Sequence, residues 1–402
     1  MTTDSDLHFM RLAYSEALKA VGNADPNPAV GAIVVNAAGE VIATGATQRA
    51  GFGHAERVAL QKLKNTDLST CTLYVTLEPC CHFGRTPPCT DAILERKIKR
   101  VVIAERDFAA EVRGESVALL QAAGVDTQVL PEDLFAREKW FTTEPFMHAR
   151  RTAMPHVVLK WAQTQDGSLA PETGSSGEIS GSHAAFATAA LRSLFKLTVA
   201  TPGVVRSDNP RLTVRFAEGM PNGFAGAGLS AFFEALLAVQ PAVATDLENN
   251  AATTSSKAAL RAFMIAQSDE KTIETVRRAQ SALSGAHRIF PVNLAAFRDN
   301  FAATFKVFLR QIVADGFNSV FIEAGPGFSD LIVQNGLADA IVIYQSRAKN
   351  DVMLWSKPGR GNSLSRALAA ASALPKLEGF ELLERATWPQ DEFFFFVKSQ
   401  IA

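Results

Sequence analysis

The sequence predicts an α/β protein built from two domains. Over residues 1–130, stretches with helical spacing of apolar residues alternate with short runs of strand-forming residues. This order is typical of a sheet with a parallel portion and helices on its faces. A second alternating unit follows Pro155, and 402 residues are too many for one ordinary domain. We therefore assign residues 1–150 to a first domain and residues 151–402 to a second.

The elements of the first domain follow from apolar spacing and turn residues. Residues 36–39 predict the turn of a hairpin, and Pro87-Pro88 predicts a helix start because proline is tolerated in the first helical turn. The predicted order is helix 8–21, strands 29–35 and 40–44, a helix opening at His54, strand 72–77, a helix after Pro88, strand 101–104, helix 115–123, strand 125–130, and a connector with one short helix over 131–154.

The second domain is predicted from the same signals. Residues 173–182 are rich in glycine and serine and are expected to form a loop, and residues 217–260 are expected to be irregular. The phenylalanine run 393–396 indicates a buried terminal strand. The other predicted elements are strand 157–160, helix 184–194 and strands 262–266, 288–292, 320–323 and 341–344.

Composition and charge argue against several functional classes. A formal net charge of −1 gives no indication of a broad basic surface that could bind a nucleic-acid backbone. No apolar run reaches the roughly 20 residues that span a bilayer, and the acidic N-terminus does not resemble a signal peptide. All four cysteines fall within residues 71–89, beside a histidine, which favours a metal site in a reducing compartment over a disulfide framework. We expect a cytoplasmic protein that binds neither nucleic acid nor membrane, and we also expect a homo-oligomer.

Four residues in two short segments predict a zinc-dependent deaminase centre. His54 and Glu56 stand two residues apart, and Cys80 and Cys89 follow downstream. A catalytic zinc ion takes three protein ligands and keeps its fourth position for water. A carboxylate two residues after the histidine can then carry protons without binding the metal, as in nucleobase deaminases. We expect Zn²⁺ on His54, Cys80 and Cys89, with Glu56 as the proton shuttle.

Two simpler interpretations stay open for these residues. The site could hold a structural zinc ion, with Cys81 or His82 as a fourth ligand. Glu56 could be a solvated carboxylate in the first turn of a helix, where acids are favoured by the helix dipole. Only the neighbouring histidine favours the catalytic interpretation.

The first 130 residues resemble the deaminase domain of bifunctional riboflavin biosynthesis proteins of the RibD type. The resemblance is carried by three stretches, residues 27–31, 54–56 and 76–89. Eight residues separate Cys80 from Cys89, whereas cytidine- and tRNA-adenosine-type deaminases usually leave two. The resemblance implies a cytidine-deaminase-like three-layer α/β/α fold. It also implies hydrolytic removal of the exocyclic amine of 2,5-diamino-6-(5-phosphoribosylamino)pyrimidin-4(3H)-one, a small-molecule substrate.

The same resemblance implies roles for residues around the zinc site. Asn27 would orient the pyrimidine ring, and His82 and Arg85 would be candidates for the ribose phosphate, although both could be merely exposed loop residues. Thr47 departs from the pattern, since many members carry a histidine there.

The second half resembles the reductase domain of the same family, which implies a dihydrofolate-reductase-like α/β fold and NADPH as cofactor. Implied substrate contacts are Ser176, Leu212, Arg215 and Glu323, and implied cofactor contacts are Ala162, Asp208 and Gly325. The pattern departs from the family at Glu178 for a tryptophan, Ala185 for a substrate-binding arginine, Val204 for a threonine and Ala324 for a glycine. Because a neutral side chain cannot replace a bidentate arginine, we expect weak or absent reductase activity.

Three other functions stay open. The second half could be a folding or dimerisation module attached to an active deaminase. The deaminase could act on a base within nucleic acid, which the low basicity and the long loop between Cys80 and Cys89 oppose. The chain could also be a zinc-stabilised binding module without catalysis, in which case replacing Glu56 would leave its function intact.

Overall fold

The structure, a computed structural model, divides into two compact units, Met1–Met154 and Pro155–Ala402. The residues that it describes are 2–107, 114–165, 167–169, 180–208, 210, 212, 214, 220–222, 224, 226–231, 233–236, 260–281, 287–347 and 379–399. The predicted loop 173–182 and the predicted irregular region 217–260 lie largely outside them.

The first unit contains a five-stranded sheet in the order β2-β1-β3-β4-β5. Its strands are β1 (Gly31–Val35), β2 (Val41–Ala46), β3 (Thr72–Val75), β4 (Arg100–Ile103) and β5 (Asp126–Val129). Strand β1 pairs antiparallel with β2 and β3, whereas β3, β4 and β5 are parallel. Its helices are α1 (Asp4–Ala17), α2 (Ala55–Gln61), α3 (Cys89–Glu95), α4 (Glu115–Ala122), α5 (Ala136–Thr142) and α6 (Glu144–Thr152). The predicted alternation and the hairpin are confirmed.

Helix α1 begins four residues before the predicted start, because a capping box forms its N-terminus. The Thr3 hydroxyl accepts a hydrogen bond from the Asp6 backbone, and the Asp6 carboxylate accepts one from the Thr3 backbone. Asp6 is buried and also pairs with Arg100 of β4 at 2.8 Å. The start of α1 is therefore fixed to the sheet.

The predicted connector with one short helix is wrong, because two helices, α5 and α6, occupy it. Pro145 lies in the first turn of α6. A proline there has no backbone N–H to continue α5, yet it is compatible with a helix start. One continuous helix is thus split into two.

Helix α2, which follows His54, packs tightly on β2 through Gly45. A Cβ atom at Gly45 would lie 2.2 Å from the Ala55 carbonyl oxygen and 2.6 Å from the Ala59 nitrogen. Both contacts are with backbone atoms, so the helix would have to move. Only glycine allows this approach of α2 to the sheet.

We therefore expect Gly45→Ala to destabilise the first unit by about 2 kcal/mol, the usual cost of overpacking. Urea unfolding of the purified protein measures it. Gly84→Ala is the matched control, since a Cβ atom there meets nothing within 4 Å. Equal stability of the two variants would contradict the proposed helix–sheet contact.

The second unit contains an eight-stranded sheet in the order β12-β13-β11-β6-β10-β7-β8-β9. Its strands are β6 (His156–Gln163), β7 (Leu197–Ala200), β8 (Leu260–Ala266), β9 (His287–Val292), β10 (Ser319–Glu323), β11 (Ala340–Ser346), β12 (Phe380–Thr387) and β13 (Asp391–Lys398). Its described helices are α7 (Ser182–Leu194), α8 (Pro202–Asp208), α9 (Glu270–Ser281), α10 (Leu294–Asp299), α11 (Phe301–Ala314) and α12 (Pro326–Gln334). The strands from β11 to β9 in this order are parallel, and β12 and β13 are antiparallel to their neighbours.

The predicted terminal strand is confirmed as β13, which lies between β11 and β12 with Phe393–Phe396 buried. Strands β7 and β12 were not predicted. Strand β7 has only four residues and follows α7 after two residues, Phe195 and Lys196, without a glycine or proline to mark a turn. Across the described part of the chain, every helix is too short or too polar to cross a bilayer.

Candidate functional site

Three predicted metal ligands lie beside the carboxyl end of β3 in the first unit. His54 is the N-cap residue of α2, and Cys89 is the first residue of α3. Cys80 lies in the loop between β3 and α3. It is tied to the N-terminus of α3, because the Cys89 backbone nitrogen lies 3.0 Å from the Cys80 carbonyl oxygen and 3.4 Å from its sulfur.

The ligand atoms of these residues converge on one point. The His54 Nδ1 atom lies 3.5 Å from the Cys80 sulfur and 3.5 Å from the Cys89 sulfur. All three ligand atoms lie within 4.8 Å of one another. In a tetrahedral zinc site, usual bond lengths separate a nitrogen and a sulfur ligand by about 3.6 Å. The donor set and its spacing therefore fit a zinc ion.

Among the described residues, no fourth protein ligand belongs to this cluster. The group of His, Cys, Asp and Glu ligand atoms consists of His54, Cys80 and Cys89 alone. Cys81 and His82, the alternative fourth ligands, are in the described part of the chain but not in the group. Three protein ligands are characteristic of a catalytic zinc site and four of a structural one.

Glu56 lies in the first turn of α2 and is buried, with 3% of its surface exposed. The simpler interpretation as a solvated first-turn carboxylate is therefore wrong. Burial raises the pKa of the Glu56 carboxyl, while His54 opposes that rise. The carboxyl also forms a hydrogen bond with the Cys89 side chain, which places it against the ligand cluster. A buried acid with a raised pKa is suited to proton transfer near neutral pH.

The two thiols differ in acidity. Hydrogen bonds from Cys89 and His54 outweigh burial and lower the pKa of Cys80 to about 4. The pKa of Cys89 is raised well above the usual value, because its hydrogen bond to Cys80, burial and the nearby Glu56 all favour the thiol. The pair thus favours a thiolate on Cys80, and the thiolate is the form of cysteine that binds a metal ion.

Thr86 is a neighbour of the metal ligands that the sequence did not reveal. Its hydroxyl oxygen lies 3.5 Å from Nε2 of His54, the ring nitrogen that faces away from the sulfurs. A partner on the second ring nitrogen fixes the tautomer and orientation of a ligating histidine. The available signal was its position in the sequence, three residues before the ligand Cys89.

The predicted deaminase substrate residues lie in different environments. Asn27 is half-buried, and its backbone nitrogen donates to the Ala24 carbonyl at 3.0 Å. His82 and Arg85 are both exposed on the turn between Cys80 and Cys89. Thr47 is buried and exchanges hydrogen bonds with the Val30 backbone, so its hydroxyl is used within the fold.

A second cluster of charged residues lies at the carboxyl edge of the sheet in the second unit. Glu323, the last residue of β10, accepts a hydrogen bond from Nε of Arg192 at 2.5 Å. Lys160 of β6 pairs in register with Glu323, and its amine lies 5.6 Å from the ring centroid of Tyr344. Burial raises the pKa of Glu323, but Arg192 and Lys160 outweigh it and the net pKa is lowered. Glu323 is therefore a carboxylate at neutral pH.

Arg192 is a charged residue at this edge that the sequence did not reveal. It lies about two turns after Ala185 on α7, and its guanidinium pairs with the predicted substrate residue Glu323. Ala185 itself is exposed on α7. This ion pair lies within the fold, and the loss of a substrate-binding arginine at Ala185 stays a prediction.

The other predicted reductase residues divide into four groups. Ala162 of β6 and Gly325, the N-cap residue of α12, lie at the same carboxyl edge as Glu323. Leu212 is buried in an apolar cluster with Phe263 and Ile265, which makes it a core residue. Asp208 is the last residue of α8. Ser176 and Arg215 lie outside the described residues, as does Glu178.

Two families match the chain, one for each unit. Residues 3–105 match the cytidine and deoxycytidylate deaminase zinc-binding region. Residues 155–346 match the RibD C-terminal domain. The predicted fold classes, a cytidine-deaminase-like domain followed by a dihydrofolate-reductase-like domain, are confirmed.

Relatives and solved structures agree with this division. The riboflavin biosynthesis protein RibD of Aquifex aeolicus is 42% identical over 216 residues, which is 54% of this chain and 59% of that protein. The chain thus matches about three fifths of the length of this relative. RibD of Escherichia coli is 29% identical over 84% of this chain and 87% of that protein.

Among solved structures, RibD of Acinetobacter baumannii superposes with a TM-score of 0.70 at 25% identity, covering 98% of this chain and 99% of that one. A diaminohydroxyphosphoribosylaminopyrimidine deaminase/5-amino-6-(5-phosphoribosylamino)uracil reductase of Thermotoga maritima gives a TM-score of 0.71, also at 25% identity, with the same coverage of both chains. Both similarities extend over nearly the whole chain.

Proposed function

Because this chain belongs to the RibD family of riboflavin biosynthesis proteins, we propose that its first unit hydrolytically deaminates 2,5-diamino-6-(5-phosphoribosylamino)pyrimidin-4(3H)-one. The observation that carries the proposal is the convergence of His54, Cys80 and Cys89 beside the buried Glu56. This geometry supports a zinc ion with three protein ligands and a separate acid for proton transfer.

The roles of the residues follow from their positions. His54, Cys80 and Cys89 hold the metal, and zinc bound there supplies the Lewis acidity that makes water a nucleophile at neutral pH. Glu56 accepts the proton of the attacking water and returns it to the departing amine. The carbon–nitrogen bond of the exocyclic amine breaks, a carbonyl forms, and ammonia leaves. Asn27 orients the ring, and His82 and Arg85 contact the ribose phosphate.

We propose that the second unit then reduces the ribosyl group of the deaminated product with NADPH. The proposal is supported by the match to the RibD C-terminal domain and by the carboxyl-edge cluster of Lys160, Arg192 and Glu323. Gly325 opens α12 at this edge, and a helix N-terminus favours the phosphates of a dinucleotide. Ala162 and Asp208 would contact NADPH, and Ser176, Arg215 and Glu323 the substrate, whereas Leu212 belongs to the apolar core. A monofunctional deaminase with a structural second unit is the alternative.

A reducing, cytoplasmic location is part of the proposal, because all four cysteines are free in the structure. Homo-oligomer formation is also proposed and is testable by light scattering.

The proposal is tested by two assays on the full chain. Ammonia release from the diaminopyrimidine nucleotide is expected, while an adenosine- or cytidine-containing RNA is expected to release none. With the deaminated product, NADPH oxidation at ordinary enzyme rates would support the reductase, and its absence would favour the structural module. Ammonia release from RNA alone would overturn the proposed substrate.

A further inference from the structure

Glu78 lies two residues before the metal ligand Cys80, yet none of the proposed chemistry uses it. Glu78 is 4% exposed. Among the described residues, its carboxylate forms no ion pair. A buried carboxylate without a cation must be stabilised by hydrogen bonds. The contacts of Glu78 therefore show what it holds in place.

Both carboxylate oxygens of Glu78 accept hydrogen bonds from a different part of the fold. Oε1 accepts from the Ser116 hydroxyl at 2.6 Å. Oε2 accepts from the backbone nitrogens of Asp107 and Gly114, each at 3.3 Å. Gly114 is the N-cap residue of α4 and Ser116 lies in its first turn. The carboxylate thus joins the start of α4 to the chain that leaves β4, and the helix dipole of α4 favours its charge.

The backbone of Glu78 is fixed at the same place. Its nitrogen donates to the Glu105 carbonyl at 2.8 Å, which prolongs the pairing of β3 with β4. Pro79 follows, and its ring restricts the backbone between Glu78 and Cys80. Downstream, the Cys80 carbonyl accepts hydrogen bonds from the nitrogens of Cys89 and Thr90 at 3.0 and 3.2 Å. Cys80 is therefore held from one side by α3 and from the other by Glu78.

We infer that Glu78 is a positioning residue for the metal centre: its carboxylate sets the position of the Cys80 sulfur relative to His54 and Cys89. The inference rests on the proposed function only in requiring that these three residues bind zinc. Loss of the Glu78 hydrogen bonds would loosen the turn that carries Cys80. Groups that hydrogen-bond a metal ligand directly contribute about 10- to 100-fold to metal affinity, and Glu78, which acts through the backbone that leads to Cys80, is expected at the lower end of this range.

The test compares two substitutions of Glu78 that differ in hydrogen bonding. Glu78→Met keeps the approximate length but accepts no hydrogen bond, and we expect it to raise the zinc dissociation constant about tenfold. Glu78→Gln should restore near wild-type affinity, because its carbonyl can face the two nitrogens while its amide donates to the Ser116 oxygen. Glu132→Met is the control, since Glu132 is exposed in the same unit.

Zinc affinity is measured by competition with a chelating dye, and ligand geometry by the absorption spectrum of the Co²⁺-substituted protein. A purely structural role would lower the melting temperature of Glu78→Met but leave both metal readouts at wild-type values, and that result would overturn the inference. If Glu78→Met does not fold, Ser116→Ala removes only the 2.6 Å hydrogen bond. Weaker zinc binding by that variant is then expected, and unchanged binding would overturn the inference.

The two proposals fail in different ways. Wild-type protein that binds neither Zn²⁺ nor Co²⁺ would overturn the proposed metal centre. Wild-type protein that binds both ions, with Glu78→Met binding them equally well, would overturn the role of Glu78 alone.

Discussion

Replacing Glu56 with glutamine is expected to lower the rate of ammonia release about 1,000-fold while the zinc content stays at the wild-type level. Glutamine has the same shape and fits the buried position of Glu56, but its amide cannot accept the proton of the attacking water. The three metal ligands are unchanged, so the metal should remain bound. The measurement is steady-state ammonia release together with metal analysis of the same preparation.

The control is Glu132→Gln, an identical change at an exposed position of the same unit, for which wild-type rates are expected. Full activity of Glu56→Gln would show that another group transfers the proton. Loss of zinc together with activity would show that Glu56 supports the metal, which would contradict its proposed role. A binding module without catalysis would show no ammonia release even in the wild type.

The metal centre could be predicted from the sequence because its information is local. His54 and Glu56 stand two residues apart, because the histidine is the N-cap residue of α2 and the glutamate lies buried in its first turn. The turn from Cys80 to Cys89 closes on itself through the Cys89 nitrogen. Residue type and spacing thus determine most of the geometry, and only the approach of α2 to α3 depends on the rest of the fold.

The contacts that orient this centre could not be predicted, because they join distant segments. Glu78 meets Ser116 across 38 residues, and the hydroxyl of Thr86 meets His54 across 32. The observed helix boundaries differ from the predicted ones for a related reason. The start of α1 depends on a capping box, and the break between α5 and α6 depends on Pro145.

In the second unit the pairing of Arg192 with Glu323 could not be predicted from the sequence. Arg192 lies on α7 and meets Glu323 across 131 residues. Nothing in the local sequence links the two side chains, whereas the fold places the end of β10 beside Arg192. This pair does not test the expected loss of an arginine at Ala185, so weak reductase activity stays a prediction.

This pair leads to the second large effect: Glu323→Ala is expected to destabilise the second unit by about 3 to 5 kcal/mol. The side chains of Arg192 and Glu323 are 17% and 9% exposed. Removing the carboxylate breaks this pair and takes away the negative charge that offsets the desolvation of the guanidinium. Urea unfolding at neutral pH measures the loss, followed through the transition of the second unit.

Glu392→Ala is the matched control, because Glu392 forms an exposed pair with Arg385 at 2.9 Å in the same unit. Exposed pairs usually contribute about 0 to 1 kcal/mol. If both substitutions cost the same, the Arg192–Glu323 pair would not stabilise the fold.

The pH dependence of the free energy of unfolding gives an independent check, because the direction of its expected change is known. The pKa of Glu323 is lowered in the folded protein, because Arg192 and Lys160 outweigh the effect of burial. A carboxyl group with a lowered folded pKa stabilises the fold above its unfolded pKa, and this contribution is lost as the pH falls through the folded value. The stability difference between wild type and Glu323→Gln should therefore be largest at neutral pH and shrink below about pH 4. A difference that stays constant from neutral to acidic pH would mean that Glu323 contributes through packing and hydrogen bonding, and not through its charge.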